Sequence, residues 1–218
     1  GVEISASFTG REMHVVGLGI DVEAPSLQAL LGQLAQMRRK RQQAILERLR
    51  DKGIAVEKAA AHGEANAVSE GRMHVAVALH EMGKATSVQN AFDRYLNRGC
   101  PAYVRKELPD AARAIAAIHD ARGLAFIAHP ALGHWMLKAM PGLLSLPFDG
   151  LEAWHPSHSV AQTSQLLAIA KRHKLLVSGG SDCHGNVKGE GNLMGRIKTP
   201  VAHYSCIQQV LANRKAGK

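Results

Sequence analysis

The sequence predicts an α/β protein in which a parallel sheet or barrel is combined with a long all-helical segment. Three observations predict it. After Pro109 short apolar strands alternate with helices; residues 23–105 show helical spacing and no strand signal; and His129, His155, Asp182 and His184 fall where strands end. In sheets built from repeated βα units the reacting groups collect at the carboxyl ends of the strands.

Residues 2–8 and 14–20 read as two strands around the polar turn Thr9-Gly10-Arg11-Glu12. The chain opens almost inside a strand, so further elements are expected upstream of Gly1. Over residues 26–52, Leu27, Leu30, Leu31, Leu34, Met37, Ile45 and Leu49 recur at helical spacing, and Gly53 supplies a stop. The second half of that helix carries Arg38, Arg39, Lys40, Arg41, Arg48, Arg50 and Lys52 against Glu47 and Asp51, a stripe that faces either water or phosphate. Helices follow at about 73–82 and 88–97, the second ended by Arg98-Gly99-Cys100-Pro101. A helix over 110–121 then leads through Gly123 to a strand over 124–128 that ends on His129-Pro130. Another strand near 150–153 ends at His155, and a helix over 160–174 returns to a strand over 175–178, which ends on Gly179-Gly180-Ser181-Asp182-Cys183-His184. The expected division is a sheet or barrel domain from 1–22 and 106–218, and a helical insertion over 23–105.

With 218 residues the chain can bury a sizeable core, and 46% hydrophobic with 21% charged residues excludes wholesale disorder. No apolar run approaches the roughly 20 residues of a membrane span, and Gly1-Val2-Glu3-Ile4-Ser5 lacks the regions of a signal peptide. The expected address is the cytoplasm, without a membrane. A net charge of +9 favours an anionic partner such as nucleic acid or nucleotide, although charge alone steers without defining a site. Cys100, Cys183 and Cys206 are an odd count without CxxC spacing, which argues for reduced thiols and against a thiolate zinc site. Twelve histidines are many for this length, and imidazole is the commonest metal ligand.

At a strand end, residues i and i+2 point the same way, so Asp182 and His184 offer a carboxylate and an imidazole to one point. Pro130 restricts His129 to an extended backbone at the rim. Glu3 and His14, each within a predicted strand, add a carboxylate and another imidazole. Oxygen and nitrogen ligands without thiolate favour manganese, iron, zinc or magnesium over a structural zinc. His155 is a further candidate by spacing. Trp135 and Trp154 read as packing residues more than as base-stacking ones, and His62, His80, His119, His134, His173 and His203 as structural or solvated.

The segments Gly1-Val2-Glu3-Ile4-Ser5, His14-Val15-Val16-Gly17-Leu18-Gly19-Ile20-Asp21, Arg72-Met73-His74-Val75-Ala76, Ala128-His129-Pro130, Ser157-His158-Ser159 and Gly180-Ser181-Asp182-Cys183-His184-Gly185 resemble, in this order, the PHP-domain (polymerase and histidinol phosphatase) metal-dependent phosphoesterases. The resemblance runs from Gly1 to about Leu211 and is greatest to the branch of nucleoside 3′,5′-bisphosphate phosphatases and 5′-to-3′ exoribonucleases. It implies a distorted (β/α)7 TIM-like barrel with a helical lid, two or three divalent ions with manganese foremost, and a metal-bound water as nucleophile. It implies Glu3 as the bridging carboxylate, His14, His129, Asp182 and His184 as further metal ligands, Arg72 and His74 as a phosphate clamp, and His158 as a donor to a phosphoryl oxygen. Arg38 and Arg41 match an Arg-x-x-Arg pattern on the substrate side. Nucleotide or short RNA is the implied substrate; a histidinol-phosphate-type phosphatase and a truncated, non-catalytic nucleic-acid-binding relative are the alternatives. The family opens with an Asp-Leu-His-x-His strand, and this chain contains no His-x-His. The expectation is therefore a piece of a longer protein or a relative with a partial metal site, inactive as this chain alone.

Overall fold

The structure, a computed structural model, describes residues 1–56, 71–183 and 194–216. The chain divides into two compact units, Gly1–Gln28 with Leu108–Lys218, and Ala29–Glu107.

The first unit is built on a five-stranded sheet in the order β1-β2-β3-β4-β5. β1 (Val2–Phe8) and β2 (Arg11–Leu18) form an antiparallel hairpin. Its turn is shorter than the sequence suggests: Thr9 and Gly10 alone reverse the chain, both at positive φ (49° and 79°), and Arg11 already pairs with Phe8. Two-residue turns of this hand match the twist of the strands they join. β2 also pairs antiparallel with β3 (Leu124–Ile127), while β3, β4 (Gly150–Trp154) and β5 (Leu176–Gly179) are parallel. The sheet is thus mixed, and the expected parallel arrangement holds from β3 onward, where helical crossovers connect the strands.

Alternation along β2 separates two packing faces. Gly17 lies against Ile118 of the helix Ala111–Asp120, where an added Cβ would meet the Ile118 side chain at 3.0 Å. Val16 and Leu18 point the other way, into a core with Leu124, Phe126, Ile207 and Leu211. The last two come from a C-terminal helix, Val201–Lys215. That helix and the one over Trp135–Leu143 fall outside the sequence expectation. The latter starts after His134 at φ 50° and contains Pro141, signals that normally end a helix. The helix Val160–His173 is fixed at its start by a reciprocal capping box between Ser159 and Gln162.

In the second unit the long helix Pro25–Asp51, which begins in the first unit, is followed by Arg72–Glu81 and Val88–Ala91, the last continuing as a π-helical turn over Phe92–Leu96. Ile45, Leu49, Val75, Leu79 and Leu96 form its core. Numbered in chain order, the helices are α1 (Pro25–Asp51), α2 (Arg72–Glu81), α3 (Val88–Ala91), α4 (Ala111–Asp120), α5 (Trp135–Leu143), α6 (Val160–His173) and α7 (Val201–Lys215). Among the described residues no helix is long and apolar enough to cross a membrane.

Candidate metal centre

Strand register builds the site. Glu3 pairs with Val16 and Ser5 with His14, so Glu3 and His14 share one sheet face as diagonal neighbours. β3 continues the row: the Ala128 amide donates to the His14 carbonyl (3.2 Å), and His129 follows directly. Three donor atoms then meet. Glu3 Oε1 lies 2.8 Å from His14 Nδ1 and 3.2 Å from His129 Nε2, and the two imidazole nitrogens are 3.1 Å apart. His129 is buried, while Glu3 and His14 keep one side open to solvent.

On the same face, Glu152 of β4 pairs with Ser178 of β5, and both are buried. Glu152 Oε2 accepts a hydrogen bond from the His129 amide at 2.9 Å. His155, just beyond β4, is buried with its ring 5.4 Å from that of His129. Its Nδ1 accepts from the Ser157 amide (3.1 Å), and its Nε2 is buried with no hydrogen-bond partner among the described residues.

The electrostatics follow from these contacts. Hydrogen bonds from His129 and His14 hold the Glu3 carboxyl well below the usual carboxylate range. Glu12 first, and then Glu3, push His14 up to about 9. Burial, helped by His129 and His158, pulls His155 down to about 4. Burial pushes Glu152 upward against the opposing hydrogen bond from His129.

This donor set suits a divalent cation. Ligands at about 2.1 Å on one face of an octahedron are about 3.0 Å apart, and the three edges here are 2.8, 3.1 and 3.2 Å. Two imidazoles and a carboxylate arranged facially form a recurrent transition-metal site. His155 Nε2 is an additional nitrogen beside it that nothing described satisfies.

The remaining expected residues are placed as follows. Asp182 acts electrostatically on both Glu152 and His155, so it belongs to this neighbourhood. It is not at the end of an extended strand, however: β5 stops at Gly179, and Asp182 has φ 47°, so the same-face argument for Asp182 and His184 does not apply. His184 lies outside the described residues, as does His62. His129 departs from the extended backbone expected before proline, with φ 28° and its amide held by Glu152. His158 spends both ring nitrogens on the backbone, Nδ1 on the Ala153 carbonyl (2.9 Å) and Nε2 on the Ala131 amide (3.3 Å). In this arrangement it has no N–H for a phosphoryl oxygen, and it ties the segment after β3 to β4. Arg72, His74 and the Arg38/Arg41 pair belong to the helical unit. The Arg72 guanidinium lies 5.5 Å from the Phe92 ring centroid, with a long 3.5 Å contact to the Leu96 carbonyl. His74 Nδ1 is buried without a hydrogen-bond partner among the described residues. Arg41 Nε donates to the Val104 carbonyl at 3.0 Å, whereas Arg38 is exposed. Trp135 is covered by Arg11 and Trp154 by His203, which agrees with packing roles.

The sequence reading offers His155 by spacing and misses Glu152. A charged residue inside the buried strand Gly150-Leu151-Glu152-Ala153, three positions before a histidine, was the available clue.

No family model matches the chain. It is 36% identical over 190 residues to the 5′-3′ exoribonuclease Rnm of Escherichia coli, covering 84% of this chain and 64% of that protein. It is 33% identical over 205 residues to the 3′,5′-nucleoside bisphosphate phosphatase of Chromobacterium violaceum, with 88% and 68% coverage. It is 30% identical over 190 residues to a phosphoribosyl 1,2-cyclic phosphate 1,2-diphosphodiesterase of Eggerthella lenta, with 85% and 72% coverage. The chain therefore spans somewhat under two thirds of the exoribonuclease and somewhat over two thirds of the other two. Among solved structures, a protein of Bifidobacterium adolescentis assigned as a metal-dependent phosphoesterase superposes with a TM-score of 0.77 at 27% identity, covering 95% of this chain and 74% of that one. An amidohydrolase of Chromobacterium violaceum superposes with a TM-score of 0.75 at 28% identity, with 96% and 75% coverage. Sequence, mixed α/β fold and relatives agree that the chain belongs to the PHP-type metal-dependent phosphoesterases, alongside 5′-3′ exoribonuclease and 3′,5′-nucleoside bisphosphate phosphatase.

Proposed function

We propose that the complete protein hydrolyses phosphate esters of 3′,5′-bisphosphonucleotides or of the 5′ end of short RNA. The observation that carries this reading is the Glu3, His14 and His129 triangle, whose edges suit one divalent ion. The reactions named for the relatives all cleave phosphate esters on a ribosyl or nucleotide framework, and the +9 charge favours such anions. An intact triangle also speaks against the non-catalytic alternative. We read the five strands as part of a distorted (β/α)7 barrel and the helical unit as an insertion between β2 and the βα repeats. Three cysteines, an odd count without CxxC spacing, fit a reducing, cytoplasmic setting.

Glu3, His14 and His129, joined by Asp182 and His184, would hold two or three divalent ions, manganese foremost. When bound, such ions lower the pKa of water and offset charge on the phosphoryl group. Glu3 stays anionic through the physiological range and so retains its attraction for cations. His155 remains neutral, which limits the positive charge facing them. Arg72 and His74 would bind a second phosphate, with Arg38 and Arg41 as further basic groups, so that a remote contact orients the scissile ester. His158 would position the segment that carries His129 by clamping Ala131 to Ala153.

The test is a Glu3→Gln variant of the complete protein, assayed with Mn²⁺ on adenosine 3′,5′-bisphosphate and on a short 5′-phosphorylated RNA. Loss of a ligand should lower kcat/KM by more than the roughly 10–100-fold typical of outer-shell changes, together with bound metal measured by elemental analysis. Full activity with undiminished metal content would overturn the reading.

A further inference from the structure

One buried carboxylate beside the triangle has no role in that chemistry. Glu152 is 8% exposed, and its Oε2 accepts the amide hydrogen of His129 at 2.9 Å across the β3–β4 boundary. His129 stands at φ 28° and precedes Pro130, a backbone that an L-residue with a ring side chain adopts only when its surroundings impose it. The other carboxylate oxygen is confined as well: a Cβ built on Gly180 would lie 2.9 Å from Glu152 Oε1. Gly180 is itself anchored through its amide to the Trp154 carbonyl at 3.0 Å. The carboxylate is therefore seated between the last residues of β4, the segment after β5 and the one backbone amide it holds.

We infer that Glu152 is the positioning residue of the metal centre: by binding the His129 amide it keeps the main chain in the left-handed conformation from which Nε2 meets Glu3 and His14. The inference rests on the metal-centre reading above and deepens it. It requires a hydrogen-bond acceptor at this place, and neither a ligand nor a charge. Glutamine therefore satisfies it and alanine does not. Gly180 contributes space, so Gly180→Ala should act in the same direction as Glu152→Ala by displacing the carboxylate, without altering any group that bonds to His129.

Two measurements on the complete protein decide it. Titration calorimetry with Mn²⁺ alone should show Glu152→Ala weakened by about 10–100-fold, Glu152→Gln within about 3-fold of the parent, and Gly180→Ala between them. Hydrogen exchange of the His129 amide in metal-free protein should be slow in the parent and in Glu152→Gln, and faster by at least about tenfold in Glu152→Ala. Should Glu152→Ala not fold, Gly180→Ala and Glu152→Gln carry both measurements. Equal losses in Glu152→Gln and Glu152→Ala would overturn the inference, because charge or ligation would then be at work. So would a His129 amide that exchanges rapidly in the parent. If the parent binds no Mn²⁺, or Glu3→Gln leaves binding unchanged, the metal-centre reading fails, while the exchange measurement still tells whether Glu152 fixes His129.

Discussion

Asp149 gathers four segments on one carboxylate. Oδ2 accepts from the Ala125 amide (2.7 Å) and from His119 Nε2 (2.8 Å), and Oδ1 accepts from Arg214, which also donates to the Gly123 carbonyl. α4, β3, β4 and α7 are thereby joined at the N-terminal ends of β3 and β4, opposite the strand ends that carry His129 and His155. Truncation would leave an amide, an imidazole and a guanidinium without their acceptor, so Asp149→Ala should cost about 2–4 kcal/mol. In a chain of this size that lowers Tm by roughly 5–15 °C in a thermal scan, and a fall of less than about 2 °C would show that water replaces the carboxylate at little cost. At this scale the sequence was readable where a residue type stood alone in a strand, as with Glu3 and His14, or at a strand end, as with His129, whose backbone nonetheless departs from the extended form expected before Pro130. It was less readable where function depends on a partner brought in by register. The local signal for Glu152 is only its place in an apolar strand, and its value comes from the amide that lies across the sheet.

The same division appears in the elements. The hairpin, α1, α4, α6 and strands β3–β5 follow from period and punctuation, and their bounds agree with expectation to within a few residues. Failures have local causes. Arg11 and Glu12 look like turn residues by polarity, yet Thr9 and Gly10 take the positive φ and release them to the ladder. α5 accommodates Pro141 in its interior because packing of Met136, Met140 and Leu143 outweighs the local signal. Asp182 was expected on the extended end of β5, but the strand stops at Gly179, where an added Cβ would lie 2.5 Å from Thr199 Oγ1 and 2.8 Å from Trp154 Cβ. A prediction belongs to the clearest local device, the capping box of α6. Ser159 accepts the Gln162 amide while Gln162 Oε1 accepts the Ser159 amide (2.8 Å). Ser159→Ala should cost about 1 kcal/mol, and Ser159→Asp should recover most of it, since aspartate accepts the same bond at a helix start. Equal losses in chemical denaturation would mean that accepting the Gln162 amide is not how the hydroxyl holds the helix.

For the whole molecule the distribution of charge matters more than its sum. Part of the basic stripe on α1 is committed to structure: Arg41 donates to Val104 and Arg48 to Tyr103. Arg39, Lys40, Arg50 and Lys52 are exposed. On the proposed substrate reading these residues separate RNA from mononucleotide. A polyanion that contacts several of them releases counterions, so log Kobs for single-stranded RNA should fall with log salt at a slope of about −0.7 for each phosphate neutralised. A bisphosphonucleotide has few phosphates to offer and should give a shallow line. Changing Arg39, Lys40 and Arg50 together to glutamine should reduce the RNA slope by about 1 to 2, with KM for the bisphosphonucleotide almost unchanged. Binding of an inactive Glu3→Gln variant to short RNA, followed by fluorescence anisotropy over a range of KCl concentrations, gives both slopes. A slope that survives the triple change would mean that the stripe is a solvated helix face. Steep dependence for the mononucleotide as well would place the salt-sensitive contacts with the small substrate, and short RNA would then have no separate track on α1.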